Sequence, residues 1–99
     1  MEIEKFKEKL SRYKEQDIVF TSHAEIRALH RDINLDEVKQ NILNPEKLIK
    51  VIDDENRGRY GCYFAKSKVH CHKYVLVLSS KVIIVTVINI NRDWQRMLK

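Results

Sequence analysis

The chain has 99 residues, enough for one domain around one hydrophobic core and too few for a second domain. Hydrophobic residues make up 43% of it and charged residues 33%, with two glycines and one proline, so the composition excludes a disordered or fibrous chain. Nineteen Lys and Arg against 14 Asp and Glu give a formal net charge of +5, which favours a polyanion such as nucleic acid as a partner.

The positive charge belongs to the second half of the chain. Residues 1–50 contain ten basic and ten acidic side chains, whereas residues 51–99 contain nine basic and four acidic ones. From Asn56 onward, Asp93 is the only carboxylate beside those nine cations. This segregation predicts an electropositive surface on the second half. The alternative interpretation is a solvated, lysine-rich face that only increases solubility.

The compartment is predicted from the apolar segments and the cysteines. Residues 1–14 alternate in charge and lack the apolar stretch of a signal peptide. The longest apolar stretch, residues 82–90, is too short to span a bilayer. Cys62 and Cys71 are therefore expected to be reduced thiols rather than a disulfide. We expect a cytoplasmic protein without membrane association.

The first and third helices are predicted from apolar spacing and capping residues. The first covers residues 2–15, and its apolar residues recur at helical spacing: Ile3, Phe6, Leu10 and Tyr13. Asn34, followed three residues later by Glu37, resembles a capping box and marks the start of the third helix. This helix is expected to end before Pro45.

A second helix is predicted over residues 22–31, after a short extended link over residues 17–20 and with Thr21 or Ser22 as its N-cap. On a helical wheel, three apolar residues fall together and are expected to face the core: Ile26, Leu29 and Ile33. A basic stripe follows the edge of that face: His23, Arg27 and Arg31. We expect the stripe to line a groove between helix and sheet. Alternatively, the two arginines pair with nearby carboxylates and His23 only caps the helix.

The second half changes to β-branched and aromatic residues. Four strands are predicted, over residues 47–52, 60–66, 73–78 and 82–90. Their short connections require an antiparallel meander, because parallel strands need a long crossover. The last strand is apolar on both faces and is expected to be central. The chain is therefore predicted to be one α+β domain over residues 1–99, with N-terminal helices packed on a four-stranded antiparallel sheet.

One stretch resembles a known signature. Phe20-Thr21-Ser22-His23-Ala24, then Arg27, Arg31 and Ile33, followed by Asp36-Glu37-Val38, resembles the F-T-x-H-A-x-x-R-x-x-x-R-x-I motif of a small prokaryotic domain family of uncharacterised function. That family is grouped with RelE/ParE-like toxins in the barnase–EndoU–colicin–RelE fold group. The resemblance extends weakly to Arg59-Tyr60 and Val85-Thr86-Val87. It implies a RelE/ParE-like fold and ribonuclease or toxin activity, although residues 91–99 lack the His or Tyr pair of some RelE relatives.

RNA cleavage without a metal ion needs a proton-transfer group and cations that stabilise the charged phosphate. Histidine titrates near neutrality, and arginine binds phosphate oxygens with two N–H groups. We therefore predict an RNA-binding endoribonuclease toxin without a cofactor, with RNA and an acidic antitoxin as partners. Its predicted catalytic residues are His23, Arg27 and Arg31. Its predicted nucleic-acid-binding residues are Arg59, Tyr60, Lys73 and Arg92.

Two other functions stay open at this point. The first is a non-catalytic ParE-like module that acts by binding a protein. The second is a small metal-binding protein that uses Cys62, His70 and His72, since thiolate and imidazole are common zinc ligands. The only acidic run, residues 53–55, lies in a predicted connection and is interpreted as a solvated turn rather than a two-metal nuclease site.

Overall fold

The computed structural model describes residues 2–54 and 58–91, which form helices and strands in the order α1, β1, α2, α3, β2, β3, β4 and β5. The helices are α1 (Ile3–Leu10), α2 (Ser22–His30) and α3 (Leu35–Leu43). The strands are β1 (Ile18–Phe20), β2 (Leu48–Asp54), β3 (Arg59–Ala65), β4 (Cys71–Leu78) and β5 (Val82–Ile90). Single turns of 3₁₀ helix, Glu15–Asp17 and Pro45–Lys47, precede β1 and β2.

The sheet has five strands in the order β1-β5-β4-β3-β2. Strands β2 to β5 form the predicted antiparallel meander, and β1 adds to it in parallel, with Ile18 opposite Val82. The predicted α+β class is confirmed, but the four-stranded, purely antiparallel sheet is wrong. Residues 17–20 were predicted as a link because a three-residue strand is too short to show a two-residue period. Its partner, β5, lies more than sixty residues further along the chain.

All three helices contribute to a core on one face of the sheet. Their largest fully buried side chains are Phe6 and Leu10 of α1 and Ile42 of α3. The sheet covers them with a second set of fully buried side chains: Phe64, Tyr74, Leu76 and Ile84. The first helix ends at Leu10 rather than at residue 15, although Tyr13 still packs against the core. No helix in the described part of the chain is long and apolar enough to cross a membrane.

The N-caps predicted for α2 and α3 both form side-chain hydrogen bonds. The Thr21 hydroxyl accepts a hydrogen bond from the Ala24 N–H at 3.0 Å. The Asn34 side chain accepts from the N–H groups of Asp36 and Glu37, at 2.7 and 3.3 Å. The Glu37 side chain takes no part in this cap, because its carboxylate points to other partners described below.

The predicted buried face of α2 is wrong in two of its three residues. Ile26 is 54% exposed and Leu29 is 82% exposed, whereas Ala24 and Ala28 are buried and Ile33 is buried beyond the helix end. The helix packs on β1 and β5 through its alanines. Small side chains let a helix backbone approach a sheet closely. A helical wheel of the large apolar residues does not show this contact, because alanines contribute little to an apolar face.

The chain leaves α2 through a Schellman turn. The Ile33 N–H donates to the Ala28 carbonyl at 2.8 Å, and the Asp32 N–H donates to the Leu29 carbonyl at 3.4 Å. Asp32 has a φ of 55°, a left-handed conformation that glycine or asparagine usually supplies at this point. The turn places Arg31 and Asp32 at the edge of the sheet and returns Ile33 to the core.

Candidate functional site

A polar cleft opens where the end of α2 meets the β3–β4 hairpin and the end of β5. Its volume is about 520 Å³. The residues that line it are Arg31, Asp32, Lys66, Ser67, His70, Asn89 and Asn91. Two cations and one carboxylate therefore face one space, together with a histidine and three neutral groups that form hydrogen bonds.

Arg31 is held in this cleft by β5. Its Nη1 atom donates to the Val87 carbonyl at 2.6 Å, and the Asn89 side chain donates from Nδ2 to the Arg31 carbonyl at 3.5 Å. A guanidinium carries five N–H donors in a planar fork, so one bond to Val87 leaves donors for a further acceptor. The half-buried side chain is thus fixed in place and can still bind an anion.

The hairpin loop fixes His70 opposite Arg31. The N–H groups of Lys66 and Ser67 both donate to the His70 carbonyl, at 3.1 and 3.0 Å. The Ser67 hydroxyl oxygen accepts from the N–H groups of Val69 and His70, and it lies 3.1 Å from Nδ1 of His70. When the neutral imidazole accepts from this hydroxyl, its own proton is on Nε2, which is then a donor.

A buried polar network lies behind the hairpin. His72 is 1% exposed, and its Nδ1 lies 2.8 Å from the Tyr74 hydroxyl and 3.9 Å from Oε2 of Glu37. Asn41 donates to the same hydroxyl at 2.9 Å, so the tyrosine proton is available to His72. The other Glu37 oxygen lies 3.3 Å from Nζ of Lys66. The network therefore connects the core to a cation of the cleft.

Burial sets the protonation of this network. Desolvation lowers the pKa of His72, against the opposing charge of Glu37, and the positive charges of Lys66 and His70 lower it further. Burial also raises the pKa of the Tyr74 hydroxyl. Both side chains are consequently neutral near pH 7, and a neutral His72 that accepts from Tyr74 carries its proton on Nε2.

Three buried polar atoms of this region have no hydrogen-bond partner in the described part of the chain. They are Nε2 of His72, Oε2 of Glu37 and Oδ1 of Asn89. His72 and Asn89 are direct neighbours across β4 and β5. A buried polar atom without a partner costs about 1–3 kcal/mol. A water, an ion or a ligand group can satisfy such atoms. Because Asn89 also lines the polar cleft, we take this end of the sheet as the candidate functional site.

The predicted catalytic residues lie along α2 rather than around one point. Arg31 lines the cleft, whereas His23 and Arg27 are exposed on earlier turns of the helix. His23 precedes Arg31 by eight residues, about 12 Å along a helix axis. The alternative interpretation paired the two arginines with nearby carboxylates. Among the described residues, neither Arg27 nor Arg31 forms an ion pair with Glu25, Asp32 or Glu37. Glu37 pairs with Lys66 instead.

The predicted nucleic-acid-binding residues are divided between the two faces of the sheet. Arg59 and Lys73 line a cleft of about 300 Å³ on the face opposite the three described helices, where Nζ of Lys73 lies 5.3 Å from the centre of the Tyr63 ring. Tyr60 lies on the helix-covered face, against Phe6. Arg92 is outside the described residues. The structure therefore brings two of the four together.

Several residues of the cleft could not be predicted from the sequence. Lys66 and Ser67 fall at a predicted strand end and connection, and His70 was weighed as a metal ligand. A hairpin in which a serine precedes a histidine by three residues is a local signal for the Ser67–His70 contact. The position of Asn89 opposite His72 needs the strand register, which no local pattern provides.

The proposed metal ligands do not form a cluster. Within residues 2–54 and 58–91, no group of three His, Cys, Asp or Glu side chains is placed to hold a metal ion. His70 contacts Ser67, His72 contacts Tyr74, and Cys62 lies in the core. No family model, curated protein or solved structure matches this chain.

Proposed function

We propose that this chain is an RNA-binding domain that holds the phosphate backbone of single-stranded RNA in the cleft between α2 and the β3–β4 hairpin. The convergence of Arg31, Lys66 and His70 on one cleft carries the proposal. Phosphate contacts supply most of the affinity of proteins for nucleic acids, and these three side chains offer a guanidinium fork, an ammonium group and an imidazole N–H.

The neutral groups of the cleft suit the rest of a nucleotide. Asn89, Asn91 and Ser67 line the same space and can exchange hydrogen bonds with base edges and with the 2′-hydroxyl. A single strand fits such a cleft better than a duplex, because its bases are unpaired and can be turned toward the protein. The Asp32 carboxylate repels the phosphate and limits the affinity. Binding is expected to be salt-dependent because Arg31 and Lys66 displace counterions from the phosphates that they contact.

RNA cleavage and a RelE/ParE-like toxin role stay predictions that rest on the resemblance. The histidine of that resemblance, His23, lies about two helical turns from Arg31. A phosphate bound by Arg31 would therefore lie closer to His70, which lines the same cleft, than to His23. Binding is the function that the geometry supports best, and a cleavage assay with both histidines tests the further step.

The decisive experiment measures the affinity for a fluorescent single-stranded RNA at several salt concentrations. We expect the variant Lys66→Met to weaken binding about tenfold and to reduce the salt slope by about one phosphate contact. Lys81→Met is the matched control, since it removes the same charge from the exposed β4–β5 turn at the opposite end of the sheet. Absence of RNA binding at low salt, or equal losses in both variants, contradicts the proposal.

The same RNA, incubated with a chelator, reveals cleavage through its new ends. Cleavage that is lost in His23→Ala supports the predicted endoribonuclease. Cleavage that is lost in His70→Ala places the reaction in the cleft. RNA that is bound but never cleaved identifies a binding module.

A further inference from the structure

A second, smaller cleft lies at the other end of the sheet. Its volume is about 210 Å³, and it is lined by Lys9, Arg12, Tyr13, Tyr60 and Leu78. Lys66 lies six positions after Tyr60, just beyond the end of β3, which corresponds to about 20 Å of extended chain. This cleft is therefore distinct from the one proposed to bind RNA. Among the residues that the structure describes, its lining contains two cations and two tyrosines and no carboxylate.

The two cations lack the ion pairs that their neighbours on α1 possess. Lys5 lies 4.0 Å from Glu2, and Lys7 lies 3.8 Å from Glu4. Among the described residues, Lys9 and Arg12 have no such carboxylate partner. They are also three residues apart at the end of a helix, where like charges repel each other. The helix dipole offsets only part of this repulsion.

Tyr60 contributes a fixed hydroxyl donor. Its ring packs on Phe6 with centroids 5.1 Å apart, and Nζ of Lys9 lies 5.6 Å from the Tyr60 ring centre. Phe6 and Lys9 therefore both contact the Tyr60 ring, and the hydroxyl is the remaining polar group of this side chain. This hydroxyl has no hydrogen-bond partner in the described part of the chain, whereas the Tyr13 hydroxyl donates to the Ser79 carbonyl at 2.6 Å.

We propose that Lys9, Arg12 and the Tyr60 hydroxyl form a binding site for a phosphate group. An ammonium, a guanidinium fork and a phenol donor together match an anion with several acceptor oxygens and more than one negative charge. A carboxylate offers two oxygens and one charge, so it satisfies this set less well. The phosphate comes either from free phosphate or from the backbone of a bound RNA, and the two sources present the same oxygens.

The test is a pair of titrations of the full chain. Each titration is monitored through the amide and side-chain NMR signals of residues 9–13 and 60. One probe is inorganic phosphate, at constant ionic strength maintained with chloride. The other is single-stranded RNA. We expect saturable shifts at these residues with phosphate, and an affinity about tenfold lower in Lys9→Met and Arg12→Gln. Tyr60→Phe keeps the ring contacts with Phe6 and Lys9 and removes only the hydroxyl, so it is expected to weaken phosphate binding without unfolding the chain.

Lys5→Met is the control, because it removes an equal charge from the same helix at a residue that already has an ion pair. Shifts with RNA as well as phosphate identify the RNA backbone as the ligand, and shifts with phosphate alone identify free phosphate. Absence of saturable shifts with both probes, or equal weakening in Lys5→Met, overturns the proposal. The variants of this cleft leave Lys66 in place, so the RNA-binding function can fail or hold independently.

Discussion

The guanidinium of Arg31 donates to the Val87 carbonyl at 2.6 Å and so joins the end of α2 to the middle of β5. The same side chain lines the cleft proposed to bind RNA. We expect Arg31→Met to lower the free energy of unfolding by about 1–2 kcal/mol, because the carbonyl loses a charged donor. Urea denaturation measures this loss. If the variant is as stable as the wild type, the bond contributes nothing to stability. The RNA affinities of the two proteins are compared only under conditions in which both are folded.

Asp32 is predicted to limit both stability and RNA affinity. Its φ of 55° is strained for most side chains, so Asp32→Gly is expected to raise the free energy of unfolding by up to about 1 kcal/mol and Asp32→Val to lower it by about 1–2 kcal/mol. Asp32→Asn separates the two effects, because asparagine tolerates this conformation and carries no charge. We expect Asp32→Asn to bind RNA more tightly at nearly unchanged stability. Unchanged affinity at low salt contradicts a role of this carboxylate in the cleft.

Local signals made most of the fold predictable. The caps at Thr21 and Asn34 and the four strands of the meander follow from residue types within a few positions of one another. The contribution of β1 does not, because Ile18 pairs with Val82 across almost the whole chain. The buried face of α2 was misjudged for a different reason, since the closeness of its contact with β5 is a tertiary property that favours Ala28 over Leu29.

The candidate site was less predictable than the fold. Arg31 was predicted to bind phosphate, but the sequence placed it in a stripe with His23 rather than beside a hairpin. Apart from Asp32, its neighbours in the cleft come from residues 66–91, and their proximity depends on the register of β3, β4 and β5. Charge segregation pointed to the second half of the chain, whereas the proximity of Lys66 and Asn89 to Arg31 required the strand pairing.

His72 is predicted to make stability depend on pH. Its pKa in the folded state is lowered from the ordinary value of 6.5, chiefly by burial, so the unfolded chain binds a proton more readily than the folded one. The free energy of unfolding should therefore fall as the pH drops from about 6.5 toward the folded pKa of His72, and this contribution should level off below that pKa. His72→Asn can keep a contact with Tyr74 and cannot titrate.

We expect His72→Asn to be less stable at pH 7, because it leaves a small cavity, and to lose less stability than the wild type on acidification. Urea denaturation at several pH values between 5 and 7.5 measures the difference between the two proteins. The groups that face His72 are Glu37, Tyr74, Lys66 and His70, and they are present in both proteins. Parallel pH profiles show that His72 is not the group responsible.

The two thiols are predicted to be unreactive in the folded chain. Cys62 and Cys71 are free and fully buried, and burial raises the pKa of both thiols, so neither supplies the thiolate that reacts with disulfide reagents. They point to opposite faces of the sheet, since Cys62 is paired with Tyr74 and Cys71 with Ala65. A chromogenic disulfide reagent should label neither thiol quickly at pH 7 and both after unfolding in urea. The variant Cys71→Val retains only the Cys62 thiol, so comparing its labelling rate with that of the wild type assigns a rate to each cysteine. Rapid labelling of the native protein at one position contradicts its burial and shows that its face of the sheet opens locally.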